Sequence, residues 1–126
     1  MKVLLSIKPE FAEAIFNGKK KFEYRKVIFR EAVKYIQVYV TKPVGKIIGE
    51  FEVGGIIEGN PAKVWKETRR YAGIKKSLYM QYFQDKQVAY AIKIEKANRY
   101  KEPLCPYNEY GNFTAPQSFK YIKEVK

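Results

Sequence analysis

Histidine is absent from the 126 residues. Its absence removes imidazole acid–base chemistry and every Ser-His-Asp triad. Cysteine occurs once, at Cys105, so no internal disulfide can form, and a structural zinc site, which draws on several Cys or His ligands, has no ligand set. No apolar run approaches the roughly 20 residues of a membrane span. The opening MKVLLSIKPE holds too short an apolar core for a signal peptide, and Lys8-Pro9 interrupts it. A cytoplasmic protein with no membrane partner, metal or cofactor is expected. Any catalysis falls to Lys, Glu, Tyr, Ser, Thr or the lone Cys105, which has no histidine to activate it.

Negative charge is also scarce. Twenty lysines and five arginines face twelve glutamates and one aspartate, a formal net charge of +12. A field of that sign gathers polyanions. Nucleic acid is the first candidate, an anionic membrane surface the rival, and a Lys-rich solvated surface the plain alternative. Apolar residues make up 46% of the chain, enough for one domain with a core, and eleven tyrosines and eight phenylalanines supply much of it.

The order of elements reads from periodicity. Residues 3–7 form a short apolar strand. Pro9 suits the first position of a helix whose apolar residues Phe11, Ala14 and Ile15 lead to a stop at Gly18. Residues 20–26 alternate as a strand, with Phe22 and Tyr24 on one face and Lys21, Glu23 and Arg25 on the other. Residues 35–41 alternate, as do 46–53, where Ile47, Gly49, Phe51 and Val53 oppose Ile48, Glu50 and Glu52. Gly54-Gly55 marks a bulge or sharp bend before the strand resumes at Ile56. Asn60-Pro61 starts a helix that runs to Gly73, with Trp65 and Tyr71 on its apolar face. A second helix is expected over 77–83 and a strand over 88–95, and after the prolines of the tail a short strand or turn over 118–122. Strands dominate, so a mainly β, α+β domain of five to six strands curling into a small barrel is expected, with an early helix, a helical insertion at 60–83, and one domain over 1–126.

Chemistry concentrates in GKKKFEYR, residues 18–25, where one carboxylate sits among cations. On a strand, Glu23 and Arg25 share a face and can pair. A carboxylate that orients a guanidinium leaves outer donors for a phosphate or a base edge. Lys20 adds a charge where the loop enters the strand. A surface ion pair worth ~0–1 kcal/mol is the plain alternative. Lys8 falls at the N-cap of the first helix, where lysine caps poorly and opposes the dipole; an anion there would reverse the penalty, and Ser6 could offer a hydroxyl to the same place. Tyr35, Gln37 and Tyr39 lie opposite the apolar face of their strand, either as stacking platforms or packed under the insertion. The pairs Arg69-Arg70 and Lys75-Lys76 flank the second helical region.

SIKPEFAEAIFNGKKKFEYRK resembles the opening of ASCH domains, which are related to PUA domains. Their G-x-K-x-x-E-x-R signature is matched by Gly18, Lys20, Glu23 and Arg25. VYVTKPVGKIIGEFEV, YFQDKQVAYAIKI and FTAPQSFKYI resemble later family segments, so the likeness spans nearly the whole chain. It implies a PUA-like β-barrel with a cleft formed by the signature residues, with Gln117, Ser118 and Tyr121 lining it from the far side. It also implies an RNA or nucleotide-like anionic ligand and a role in RNA metabolism or translation-related regulation. Some relatives are enzymes. One bacterial group deacylates modified cytidine with a lysine, a threonine and a glutamate. Lys20 stands at that lysine's position, and Glu23 replaces the threonine. A ribonuclease activity is attributed to at least one member. The expected ligand site is therefore Ser6, Lys8, Lys20, Glu23, Arg25, Gln117 and Ser118. For a hydrolase, Lys20 would be the base and Glu23 the acid or orienting group. Tyrosine-rich strand faces leave room for a homodimer, and a protein-interaction module is a third reading.

Overall fold

The computed structural model describes residues 2–111 and 113–122. Met1, Asn112 and residues 123–126, part of the single domain expected over 1–126, lie outside the described residues. Among the described residues, six strands form one mixed sheet. They are β1 (Lys2–Ile7), β2 (Phe22–Arg25), β3 (Tyr35–Val40), β4 (Lys46–Gly59), β5 (Ala89–Leu104) and β6 (Phe119–Ile122), in the spatial order β2-β5-β4-β3-β1-β6. The β1–β3 pair is parallel and every other pair antiparallel. β2 and β6 are the two edges, and the sheet curls into a half-barrel.

Helix α1 (Pro9–Phe16) links β1 to β2. Proline begins it, and the chain leaves it through Gly18 at φ 84°. Its buried residues are Ala12 and Ile15, with Phe11 and Phe16 half-buried, so the apolar face is turned from the expected one through Ala14. These side chains meet Val3, Leu5, Ile36, Val38, Phe51, Ile92 and Ile94 in the main core. Fully burying a Leu, Ile or Phe of this kind is worth roughly 1.5–3 kcal/mol.

The glycine bulge appears where Gly54-Gly55 predicts it: the β4–β5 register shifts between Val53 and Ile56. A second shift, between Ile47 and Gly49, breaks the simple alternation expected there. Ile48 joins Phe51 in the main core, while Ile47 turns to the other side, against Leu4, Tyr39 and Phe113. An extra residue in one strand reverses every facing beyond it.

The insertion comprises α2 (Pro61–Thr68), a single 3-10 turn (Arg69–Tyr71) and α3 (Lys76–Tyr82). Asn60 caps α2, its side chain accepting the Lys63 amide at 2.9 Å. Val64, Ala72, Tyr79 and Phe83 pack with Tyr24, Ala89 and Ala91 into a second core, which Trp65 borders. Tyr71 is exposed rather than packed, because the chain tightens into the 3-10 turn before reaching it. The fifth strand runs nine residues beyond its predicted end, through Pro103, and α4 (Pro106–Tyr110) follows. Residues 96–104 are mostly exposed and do not alternate, so periodicity carries no signal there.

Candidate nucleotide-binding cleft

β2 and β1 are not neighbours in the sheet, yet one side chain joins them. Arg25 Nη2 donates to the Ser6 carbonyl at 2.7 Å and to Glu23 Oε2 at 2.8 Å; Arg25 Nε donates to the same Oε2 at 3.1 Å. Beside this seam opens a cleft of about 730 Å³, within the range of small-molecule sites. Ser6, Lys8, Lys20, Glu23, Arg25 and Gln117 all line it. Ser118 does not. Its carbonyl instead accepts the Ser6 amide at 3.1 Å, behind the wall.

Lys20, Glu23 and Arg25 form the floor, and each is at least nine-tenths covered. Their burial follows from local structure. β2 begins only at Phe22, and the turn after Gly18 is pinned by the Lys20 amide on the Ala14 carbonyl. Lys20 is thereby turned inward. Lys21, expected on the same face as Glu23 and Arg25, is exposed, with its ammonium 4.7 Å from the Tyr71 ring. Glu23 and Arg25 then share the inner face of β2 by strand alternation, while Phe22 and Tyr24 pack into the second core.

A buried ammonium needs partners. Lys20 Nζ donates to the Ala72 carbonyl at 2.7 Å, lies 3.8 Å from Glu23 Oε1, and sits 4.9 Å and 5.4 Å from the ring centres of Tyr24 and Phe11. Burial nevertheless holds its pKa below the ordinary lysine value, and Arg25 adds to the lowering while Glu23 opposes it. The neighbouring Tyr24 phenol, hydrogen-bonded to Thr68 Oγ1 at 2.7 Å, is pushed up to about 12 by burial.

Two groups on the floor are left to a ligand. Arg25 uses Nε and Nη2 within the protein, and Glu23 Oε1 has Lys20 no closer than 3.8 Å. No buried side-chain nitrogen or oxygen among the described residues lacks a hydrogen-bond partner, so Arg25 Nη1 and Glu23 Oε1 are not sealed from solvent, and both residues line the cleft.

Other expected groups have other tasks. The Ser6 hydroxyl donates to the Pro116 carbonyl at 2.6 Å. Lys8 is the N-cap of α1 and exposed at the rim, but the Phe11 and Ala12 amides both turn back to its carbonyl, leaving fewer free amides at that helix end than expected. Tyr121 does not line the cleft: its hydroxyl accepts the Arg30 and Glu31 amides at 2.7 and 3.2 Å. Tyr39 is buried against Phe113, and Gln37 donates to the Tyr100 hydroxyl, so this face is covered by the end of β5 and by Phe113 of the tail, not by the insertion.

The far wall comes from residues that the sequence did not single out for the cleft. Ile74, Leu78, Tyr79, Gln81 and Tyr82 of the insertion face Phe11 across the opening. Leu78 and Tyr82 are exposed. The helical period foretells which face of α3 packs inward, and nothing in it says that the rest borders a cleft. With Glu10 at the rim, the described residues lining the opening include three cations and two carboxylates.

A family model described as the ASCH domain matches residues 5–98. The chain belongs to the ASCH domain family. An ASCH domain-containing ribonuclease of Zymomonas mobilis is 31% identical over 128 residues, covering 96% of this chain and 84% of that protein. The crystal structure of ASCH from Zymomonas mobilis superposes with a TM-score of 0.91 at 29% identity, covering 98% of this chain and 88% of that one. The large ribosomal subunit protein uL22 of Ureaplasma parvum is 29% identical over 122 residues. The chain spans only 39% of that relative's length. The α+β half-barrel is thus the ASCH fold. Among the described residues of this ASCH domain, no helix is long and apolar enough to cross a membrane.

Proposed function

We propose that this ASCH domain binds RNA or a nucleotide in the cleft beside the β1–β2 seam, in the setting of RNA metabolism or translation-related regulation. The observation that carries this reading is the buried Lys20–Glu23–Arg25 set with Arg25 Nη1 and Glu23 Oε1 turned to the opening. With Lys20 protonated the set carries one net positive charge, and a phosphate completes it. Glu23 Oε1 is an acceptor for an amino or hydroxyl group of the same ligand. Leu78 and Tyr82 offer apolar surface for a base. The ribonuclease relative supports an RNA setting.

Binding of a fluorescent mononucleotide tests this. Arg25→Ala removes a charge-assisted contact worth ~1.5–3 kcal/mol, about tenfold to a hundredfold in affinity. Arg30→Ala, on an exposed loop away from the cleft, leaves affinity unchanged. Equal losses in the two variants would show that only the overall field matters.

Cleavage of RNA is a second reading, favoured by the ribonuclease relative and by the depressed pKa of Lys20. As a neutral amine, Lys20 would take the proton from a 2′-hydroxyl. The 2′-oxygen would bond to phosphorus, and Arg25 Nη1 would bear the added charge. The bond to the 5′-oxygen would break, with a proton from solvent going to the leaving oxygen. Accumulation of 2′,3′-cyclic phosphate ends, abolished by Lys20→Ala, tests it; unchanged RNA in the presence of bound wild-type protein rejects it.

A further inference from the structure

The cleft accounts for little of the protein's charge. Three cations and two carboxylates line it, whereas the chain carries +12. Much of the excess lies next door. Residues 69–76, RRYAGIKK, hold four cations and no acid. This segment is fastened to the loop before β2: the Ala72 carbonyl takes the Lys20 ammonium, and the Tyr71 carbonyl takes the Lys21 amide at 2.9 Å. That loop adds Lys19 and Lys21. All six of Lys19, Lys21, Arg69, Arg70, Lys75 and Lys76 are exposed, and among the described residues none is in an ion pair. Arg99, in contrast, is paired with Glu13 on the surface. An aromatic ring stands among these cations. Tyr71 is 43% exposed, with the Lys21 ammonium 4.7 Å from its centre.

We infer that this ridge is a second binding surface, which tracks the backbone of a single-stranded polynucleotide whose terminal nucleotide occupies the cleft. The inference extends the proposed cleft reading and rests on it for the occupant of the cleft, but the ridge has its own signature. Unpaired cations around an exposed aromatic ring suit a strand that presents phosphates and unstacked bases together. The ridge and the cleft meet along one stretch of the insertion, residues 69–78, because Ile74 and Leu78 line the cleft while Arg69, Arg70, Lys75 and Lys76 of the same stretch are exposed. A duplex offers phosphates but no open base for Tyr71.

The test compares two ligands on the whole protein: a mononucleotide and an unstructured RNA of about twelve nucleotides, within the span of known single-strand sites. The wild type should bind the longer RNA at least about tenfold more tightly, with a steeper salt dependence. The triple variant Arg69→Ser, Arg70→Ser, Lys75→Ser should lose that gain, its log–log salt slope falling by about two at ~0.7 per phosphate contact. Its mononucleotide affinity should not change, and a thermal melt matching that of the wild type shows that it folds. Tyr71→Ala should weaken the longer RNA with no change in slope. The inference is overturned if the triple variant binds the longer RNA as the wild type does, or if the wild type prefers a duplex of the same length. The two readings fail separately. Loss of long-RNA affinity in the triple variant, with no mononucleotide binding even by wild type, would retain the ridge and reject the cleft.

Discussion

Arg25 Nη2 lies 2.7 Å from the Ser6 carbonyl, a bond between two strands that share no ladder. The half-barrel is drawn together there by a side chain, and the same side chain presents its remaining nitrogen to the cleft. Structure and proposed binding are therefore coupled through one guanidinium. Arg25→Lys cannot replace it, since an ammonium lacks the fork that reaches Glu23 and Ser6 at once. Both Arg25→Lys and Arg25→Ala should lower stability by about 3 kcal/mol, the low end for breaking a buried pair, because Lys20 still accompanies Glu23. Chemical denaturation at neutral pH measures this. A loss below about 0.5 kcal/mol would mean the seam holds without it.

Gly73 is held at φ 65°, and a Cβ there would collide with Lys20 Cβ and lie 2.6 Å from its Cγ. Gly18, at φ 84°, has nothing within 4 Å of its Cβ position. Gly18→Ala should cost only the left-handed strain, about 1–2 kcal/mol. Gly73→Ala should cost that plus about 1–3 kcal/mol for overpacking, and should displace Lys20 from the Ala72 carbonyl. Paired thermal melts separate the two terms. Equal melting temperatures for the two variants would mean that Lys20 yields freely.

The pH dependence of binding has a definite sign. Burial lowers the Lys20 pKa, so its proton leaves at a lower pH than that of an ordinary lysine. If the ammonium holds an anionic ligand, affinity for a mononucleotide should fall as pH rises through that lowered value, before 10.5 is reached. Lys20→Arg should hold its affinity across the same range. A wild-type affinity that is flat up to pH 10.5 would place the ligand elsewhere.

The Tyr24 phenol, raised to about 12, makes the fold sensitive to alkali. The unfolded chain releases that proton near 10, the folded chain near 12. The stabilisation is therefore complete below pH 10 and is lost as pH rises through 12. At lower pH, between its lowered value and 10.5, Lys20 acts in the opposite direction, since its charged form is the one disfavoured by burial. Tyr24→Phe should leave a shallower decline in melting temperature above pH 10, while removing the hydroxyl bond to Thr68 at 2.7 Å costs about 1 kcal/mol below it.

Much of the floor was legible beforehand. Strand alternation places Glu23 and Arg25 on one face, and the lone carboxylate among cations marks the place. What could not be read is which lysine turns inward. Lys19, Lys20 and Lys21 are chemically alike, and the choice is made by the turn after Gly18 and by a backbone carbonyl at Ala72, fifty-two residues away. A carbonyl carries no side-chain signal. Gly73 reads in sequence as a helix stop; its close approach to Lys20 is visible only in three dimensions. Likewise the Ile47–Gly49 bulge has no turn residue to announce it beyond Gly49 itself, so Ile47 and Ile48 were assigned to the wrong sides.

A crystal structure grown with a mononucleotide tests the central claim most directly. The account predicts a phosphate or base edge within hydrogen-bond distance of Arg25 Nη1, with Lys20 Nζ alongside and the base against Leu78 and Tyr82. A nucleotide bound only outside the cleft, with the floor unchanged and filled by water, would contradict it.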